Sequence, residues 1–356
     1  MQKININLLE YSKSNLNMNT EDRSIQAQFI QLLKESIPAN FSLVDELADL
    51  LGVSNDSAYR RIRGETALTI DEVSKICAHY KIPFDYAGIE KGKGNAVTFS
   101  YNHLSENTES FPNYMEKILT DLRRINSVEK KEIIFAAEDV PIFHHFCFPK
   151  ISAFKLFYWS RSILNAPEFE AKKFDPSFMT EKMKAVIAEI YTLYLRIPSI
   201  EIWTEDTLNS TLKQIEYYYD SGLFKSKEDM LDVLDDLRKM IKRIELQASH
   251  SAKFSADSPD SSTKENYKLY NSDLMIGNNC ILIKAGGSRS TYISHNTFNS
   301  MATTNSGFCD ETENWLVNII KKSTLISGVS EKQRFRFFKI INDKISKIKE
   351  RVEQDK

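Results

Sequence analysis

The stretch LADLLGVSNDSAYRRIRGE, residues 47–65, restricts the fold of this chain more than any other. Leu43, Leu47, Leu50 and Leu51 recur at helical spacing behind Ser42, which has the chemistry of a helix N-cap. Gly52 ends that helix, because a residue without Cβ takes the left-handed conformation that a tight reversal needs. A second helix opens at Ser54 after the apolar Val53. Ala48, four residues before the glycine, is small enough for this second helix to pack across the first. Ala58 and Ile62 supply the inner face of the second helix and Gly64 its exit. Arg60, Arg61 and Arg63 crowd into the last turn before that exit.

The flanking sequence extends this pair into a compact helical unit spanning 21–90. Ile25, Phe29, Leu32 and Leu33 mark a helix over 22–36 that ends before Pro38. Thr69-Ile-Asp-Glu72 is a capping box, in which the threonine hydroxyl and the glutamate carboxylate each accept from the other's exposed amide. Ile70, Val73, Ile76, Cys77 and Tyr80 continue that last helix until Pro83.

The order of these features, over about 65 residues, resembles the DNA-binding domain of the lambda repressor/Cro superfamily, a helix-turn-helix. The resemblance implies that the helix from Ser54 to Arg63 enters the major groove of duplex DNA, with its amino-terminal residues at base edges. Carried over residue by residue, Asn55, Asp56, Ser57, Tyr59 and Arg60 become the base-contact set, and Arg61 and Arg63 the phosphate contacts. Ala48, Gly52, Val53, Ser54, Ala58, Ile62 and Gly64 are the structural positions. The sequence departs from the family at Arg61, where relatives bury an apolar side chain. Here the neighbouring Ile62 is the apolar residue, so a rotated helix with Tyr59 turned into the core is the expectation.

Charge makes the cluster stand out. The whole chain carries a net charge of −2, and its first 95 residues hold 11 Lys/Arg against 13 Asp/Glu. A basic coat for indiscriminate nucleic-acid binding is therefore excluded, and a head so weakly charged grips one half-site poorly. Two half-sites read together raise affinity through effective concentration, so a homodimer on double-stranded DNA is expected.

The remaining chain reads as mixed α and β with helices dominant. After an N-terminal arm (1–20) and the helix-turn-helix unit, a glycine- and charge-bearing linker is expected at 91–105. A mainly helical sensing or dimerisation region follows at 106–254. Helices are expected at 111–125, 149–164, 179–195, 205–219 and 226–249, and strands at 131–139 and 199–203. A serine-rich loop or hinge occupies 255–266. From 267 to 356 an antiparallel meander of about three strands precedes helices at 315–323 and 330–352. The fold class is mainly α, with an α+β C-terminal region that includes a small antiparallel sheet.

Three features invite over-reading. His144-His145 beside Glu138 and Asp139 suggests a metal site, yet adjacent histidines on one element point apart, and packing explains them better. Gly286-Gly287-Ser288-Arg289 suggests a phosphate cradle, yet a hairpin turn accounts for it. The aromatic runs FHHFCFPKISAFKLFYWS and IEYYYD suit a pocket or an interface, and buried core absorbs most of them. Cys77, Cys147, Cys280 and Cys309 lie too far apart for paired zinc ligands and read as reduced thiols. No phosphate-binding glycine loop and no catalytic constellation stands out, so neither a cofactor nor an enzymatic activity is expected. The amino terminus lacks a signal-peptide pattern and no apolar run suits a membrane span, which leads to a cytoplasmic expectation. The organisation is similar to that of one-component bacterial transcription regulators, in which a DNA-binding head joins a region that receives a small-molecule or protein signal. The alternative is an interaction protein or enzyme whose helix-turn-helix docks a protein or positions a catalytic C-terminal region.

Overall fold

The computed structural model describes residues 24–36, 42–80, 97–102, 110–256, 258–259, 264–295 and 299–355. The expected N-terminal arm lies outside the described residues, as do most of the linker and part of the serine-rich loop. The chain divides into two compact units, Met1–Thr98 and Phe99–Lys356.

The first unit contains four helices among its described residues: α1 (Ile25–Ser36), α2 (Leu43–Leu51), α3 (Asn55–Ile62) and α4 (Ile70–Tyr80). Their starts are built from local side chains. The Ser42 hydroxyl accepts from the Asp45 amide and the Ser54 hydroxyl from the Ser57 amide. Thr69 and Glu72 close the capping box, with the Glu72 amide 3.2 Å from the threonine hydroxyl and the Thr69 amide 2.9 Å from the carboxylate. Gly52 sits at φ 68°, and the Val53 amide donates to the Ala48 carbonyl, which sets the crossing of α2 and α3. Phe29, Ile30 and Leu33 of α1 meet Leu47 and Ala48 of α2, Ala58 of α3 and Ile76 of α4 in a small core. Val53, Ile62, Leu68 and Val73 pack around it.

The second unit is built on one sheet. Its eight strands, among the described residues, are β1 (Ser100–Asn102), β2 (Lys131–Ala136), β3 (Ser199–Trp203), β4 (Tyr267–Asn271), β5 (Cys280–Ala285), β6 (Ser288–His295), β7 (Asn299–Thr303) and β8 (Thr324–Leu325), in the order β1-β7-β6-β5-β2-β3-β4-β8. β2, β3 and β4 run parallel and the other pairings are antiparallel. Parallel neighbours need crossovers, and helices provide them. α5 (Ser110–Asn126) precedes β2. α6 (Ile142–His145), α7 (Pro149–Tyr158), a π-helical turn (Trp159–Ile163) and α8 (Glu181–Leu195) join β2 to β3. α9 (Asn209–Asp220) and α10 (Lys227–Ser249) join β3 to β4, while α11 (Ser306–Lys321) and α12 (Glu331–Gln354) come last. β2 shows the layering: Ile133 and Phe135 enter the large core shared with α5, α7–α10 and α12, whereas Ile134 and Ala136 face Leu316 and Ile319 of α11.

The meander differs from expectation. β5 and β6 form its hairpin and β7 its third strand, but β4 leaves its sequence neighbours and pairs with β3 and β8. Strands from both sides of 255–266 share the sheet, so that segment joins parts of one unit, and the sheet is larger and more mixed than expected. Gly286 and Gly287, at φ 59° and 89°, form the two-residue turn between β5 and β6. Arg289 is engaged by Asp310 and Glu313, so the geometry there is that of a hairpin braced to α11.

The two histidines part company as well. His144 Nε2 lies 2.8 Å from the carboxylate of Glu201, at the centre of β3. Tyr194, Trp203 and Tyr267 also donate to that carboxylate, giving it four donors in a fully buried position. Burial alone would raise the Glu201 pKa, but His144 and these hydrogen bonds hold it below its ordinary value. His145 instead lies near Lys155 and Asp139, and burial together with the Lys155 cation pushes its pKa down to about 3, leaving a neutral ring.

Candidate nucleic-acid interface

α3 presents one exposed stripe. Asn55, Asp56, Tyr59, Arg60 and Arg63 are exposed, Ser57, Arg61 and Ile62 are partly covered, and Ala58 is buried. The exposed positions follow a spacing of about four residues, as one face of a helix requires. Tyr59 is 49% exposed, so the expected rotation that turns it into the core does not occur. Ala58 and Ile62 face the core instead, and the Tyr59 ring lies under the Arg63 guanidinium, 5.6 Å from its centre.

The arginines divide into two kinds. Arg61 folds inward: its Nη2 donates to Glu72 at 2.8 Å and its Nε at 3.1 Å, while Nη1 reaches the Ser57 hydroxyl at 3.0 Å. Its side chain is only 14% exposed. Arg61 thus occupies the inward-facing position and Glu72 neutralises it there, so its donors are already committed and the phosphate contact expected of it is not available in this arrangement. Arg61 also holds the Glu72 carboxyl below the usual carboxylate range. Because Glu72 belongs to the capping box of α4, the pair ties the recognition helix to the start of the next helix. The Ser57 hydroxyl accepts from Arg61 in the same network and keeps its own proton to donate.

Arg60 and Arg63 stay in water, with side chains 57% and 58% exposed. Glu65, just past Gly64, lies 2.9 Å from Arg63 Nη2 and 3.9 Å from Arg60 Nε. Asn55 donates from Nδ2 to Asp45 at 2.8 Å, which fixes its amide at the amino end of α3. Together these side chains offer an adenine-type amide, a carboxylate acceptor, a tyrosine and two solvent-exposed guanidinium groups along a single helix face.

Gln26 of α1 is a structural residue that the sequence did not reveal. Its Nε2 donates to the carbonyls of Arg61 and Thr66, both at 2.8 Å, and its Oε1 accepts from the Leu68 amide at 3.0 Å. One side chain therefore closes the carboxyl end of α3 and the loop after it. Its partners lie 35 to 42 residues away, and a glutamine within an amphipathic helix carries no local sign of them.

Residues 37–86 match the family model described as helix-turn-helix, of the Cro/C1 type. Within the first unit, these residues are similar to helix-turn-helix domains of that DNA-binding type. Comparison of the chain with curated proteins and with solved structures finds no match. Among the described residues no helix is long and apolar enough to cross a membrane.

Proposed function

We propose that this chain is a sequence-specific transcription regulator that binds duplex DNA through α3 and acts as a homodimer in the cytoplasm. The observation that carries this reading is the exposed stripe of Asn55, Asp56, Tyr59, Arg60 and Arg63 on a recognition helix locked by Gly52, Gln26 and the Arg61–Glu72 pair. Arg63 serves as a phosphate contact, Arg60 reaches bases or phosphate, and Asn55 and Asp56 read base edges. The near-neutral charge of the head supports the dimer, because one half-site offers few phosphate contacts. The second unit, Phe99–Lys356, then dimerises or receives a signal, and any such signal must bind the DNA-competent and incompetent states unequally.

A salt titration tests this. Binding of the full-length protein to duplex DNA is expected to fall with salt, and replacing Arg60 and Arg63 by alanine is expected to lower the log–log slope by about 0.9 for each phosphate that is no longer neutralised. Asn55→Ala is expected instead to relax preference at one base position. Unchanged affinity and slope in the Arg60/Arg63 variant would refute the proposed interface.

A further inference from the structure

The carboxylate of Glu65 stands where helix stability alone disfavours it. Gly64, at φ 77°, reverses the chain, and the Glu65 amide donates to the Arg60 carbonyl at 2.9 Å, which pins the residue over the last turn of α3. That is the negative end of the helix dipole, where an anion is unfavourable. The acidic residues Asp56 of α3 and Asp71 and Glu72 of α4 occupy first turns, the favourable end. Two arginines of the proposed DNA-contacting face compensate Glu65, Arg63 at 2.9 Å and Arg60 at 3.9 Å.

We propose that Glu65 is an affinity-setting residue of this interface, an internal counter-ion that holds Arg60 and Arg63 and competes with the DNA phosphate for them. The inference rests on the DNA-binding reading above. Exposure separates this pairing from that of Arg61. Arg61 and Glu72 are 14% and 17% exposed and shielded from an arriving ligand, whereas Arg63 and Glu65 are 58% and 42% exposed and within its reach. An arriving phosphate must displace the carboxylate or bind with that negative charge alongside. Phosphates carry no sequence information, so the penalty falls on every duplex alike. A single head is thereby kept weak, and stable occupancy comes to require two heads on two half-sites.

The test compares the full-length wild type with Glu65→Gln, using a fluorescein-labelled duplex of random sequence in an anisotropy titration. Exposed ion pairs contribute little each, so Glu65→Gln is expected to tighten binding by roughly two- to tenfold near 0.1 M salt. It is expected to steepen the salt slope by about 0.9. Asp49→Asn, which removes an exposed carboxylate of α2 that takes part in none of the described ion pairs, reports the general effect of one charge and should tighten binding less. In an Arg60→Gln/Arg63→Gln background the effect of Glu65→Gln should vanish, and thermal midpoints confirm that the variants fold. If the wild type binds and Glu65→Gln changes nothing, matches Asp49→Asn, or keeps its effect without the arginines, the counter-ion role fails and the DNA-binding reading stands. If neither protein binds any duplex, both fall. Binding by Glu65→Gln alone supports the proposal.

Discussion

Arg61→Ala separates a structural arginine from its two exposed neighbours. Arg61 and Glu72 make three close charged contacts at 2.8, 3.1 and 3.2 Å, with 14% and 17% of their side chains exposed. A fully buried pair broken on one side costs about 3–5 kcal/mol, and an exposed pair about 0–1 kcal/mol. The first unit is small, so water lies close behind this pair and its value falls between those limits, at about 1–2 kcal/mol. In a unit of this size that corresponds to a fall in melting temperature of roughly 5–15 °C. Amide hydrogen exchange on the full-length protein localises the effect, with protection in α3 and α4 expected to drop by the same free energy. Arg60→Ala and Arg63→Ala should leave protection within about 0.5 kcal/mol of wild type while weakening DNA binding. A double-mutant cycle with Glu72→Gln should return most of the loss as coupling. If Arg61→Ala left protection unchanged but abolished DNA binding, Arg61 would be a phosphate contact and the division of the arginines would be wrong.

Three other outcomes follow from the same geometry. Gly52→Ala introduces a side chain into open space, so its expected cost of about 1–2 kcal/mol, read by urea denaturation of the first unit, comes from the positive φ of 68° alone. The folded-state pKa of Glu72 is depressed below 4.5, chiefly by its hydrogen bonds with Arg61, so its contribution is fully present above that value and is lost as pH falls through the folded pKa. Acid titration of stability should show this loss in wild type and a smaller one in Arg61→Ala, where the bonds to Thr69 remain. Glu201→Ala leaves His144, Tyr194, Trp203 and Tyr267 as unpaired buried donors, and calorimetry should find the second unit destabilised by at least about 3 kcal/mol.

The parts of the molecule that local chemistry determines were legible in the sequence. Ser42, Gly52, Ser54 and the Thr69–Glu72 box each act within four residues, and each stands where the sequence places it. The strand Ser199–Trp203 is likewise visible as an apolar run. Long-range choices were not legible. Whether a helical arginine meets a phosphate or a carboxylate depends on Glu72, 11 residues away on another helix. Sequence adjacency drew β4 into the meander, yet its partner β3 lies across two crossover helices, whose packing sets the parallel register. β8 has only two residues, too few for alternation to register, and β7 is largely polar. The start of α11 at Ser306 was missed because its signal is one side chain, Asn305, accepting from the Phe308 amide ahead of a glycine and a phenylalanine.

The most direct test of the proposed function is selection of bound sequences from a random duplex library by the purified full-length protein at about 150 mM salt, a physiological strength. A recovered motif with two-fold symmetry, whose information at one position is lost in Asn55→Ala, is the predicted result, and its half-site spacing would report the dimer geometry. Retention at background with no enriched sequence, for wild type and for Glu65→Gln alike, would contradict a DNA-binding regulator.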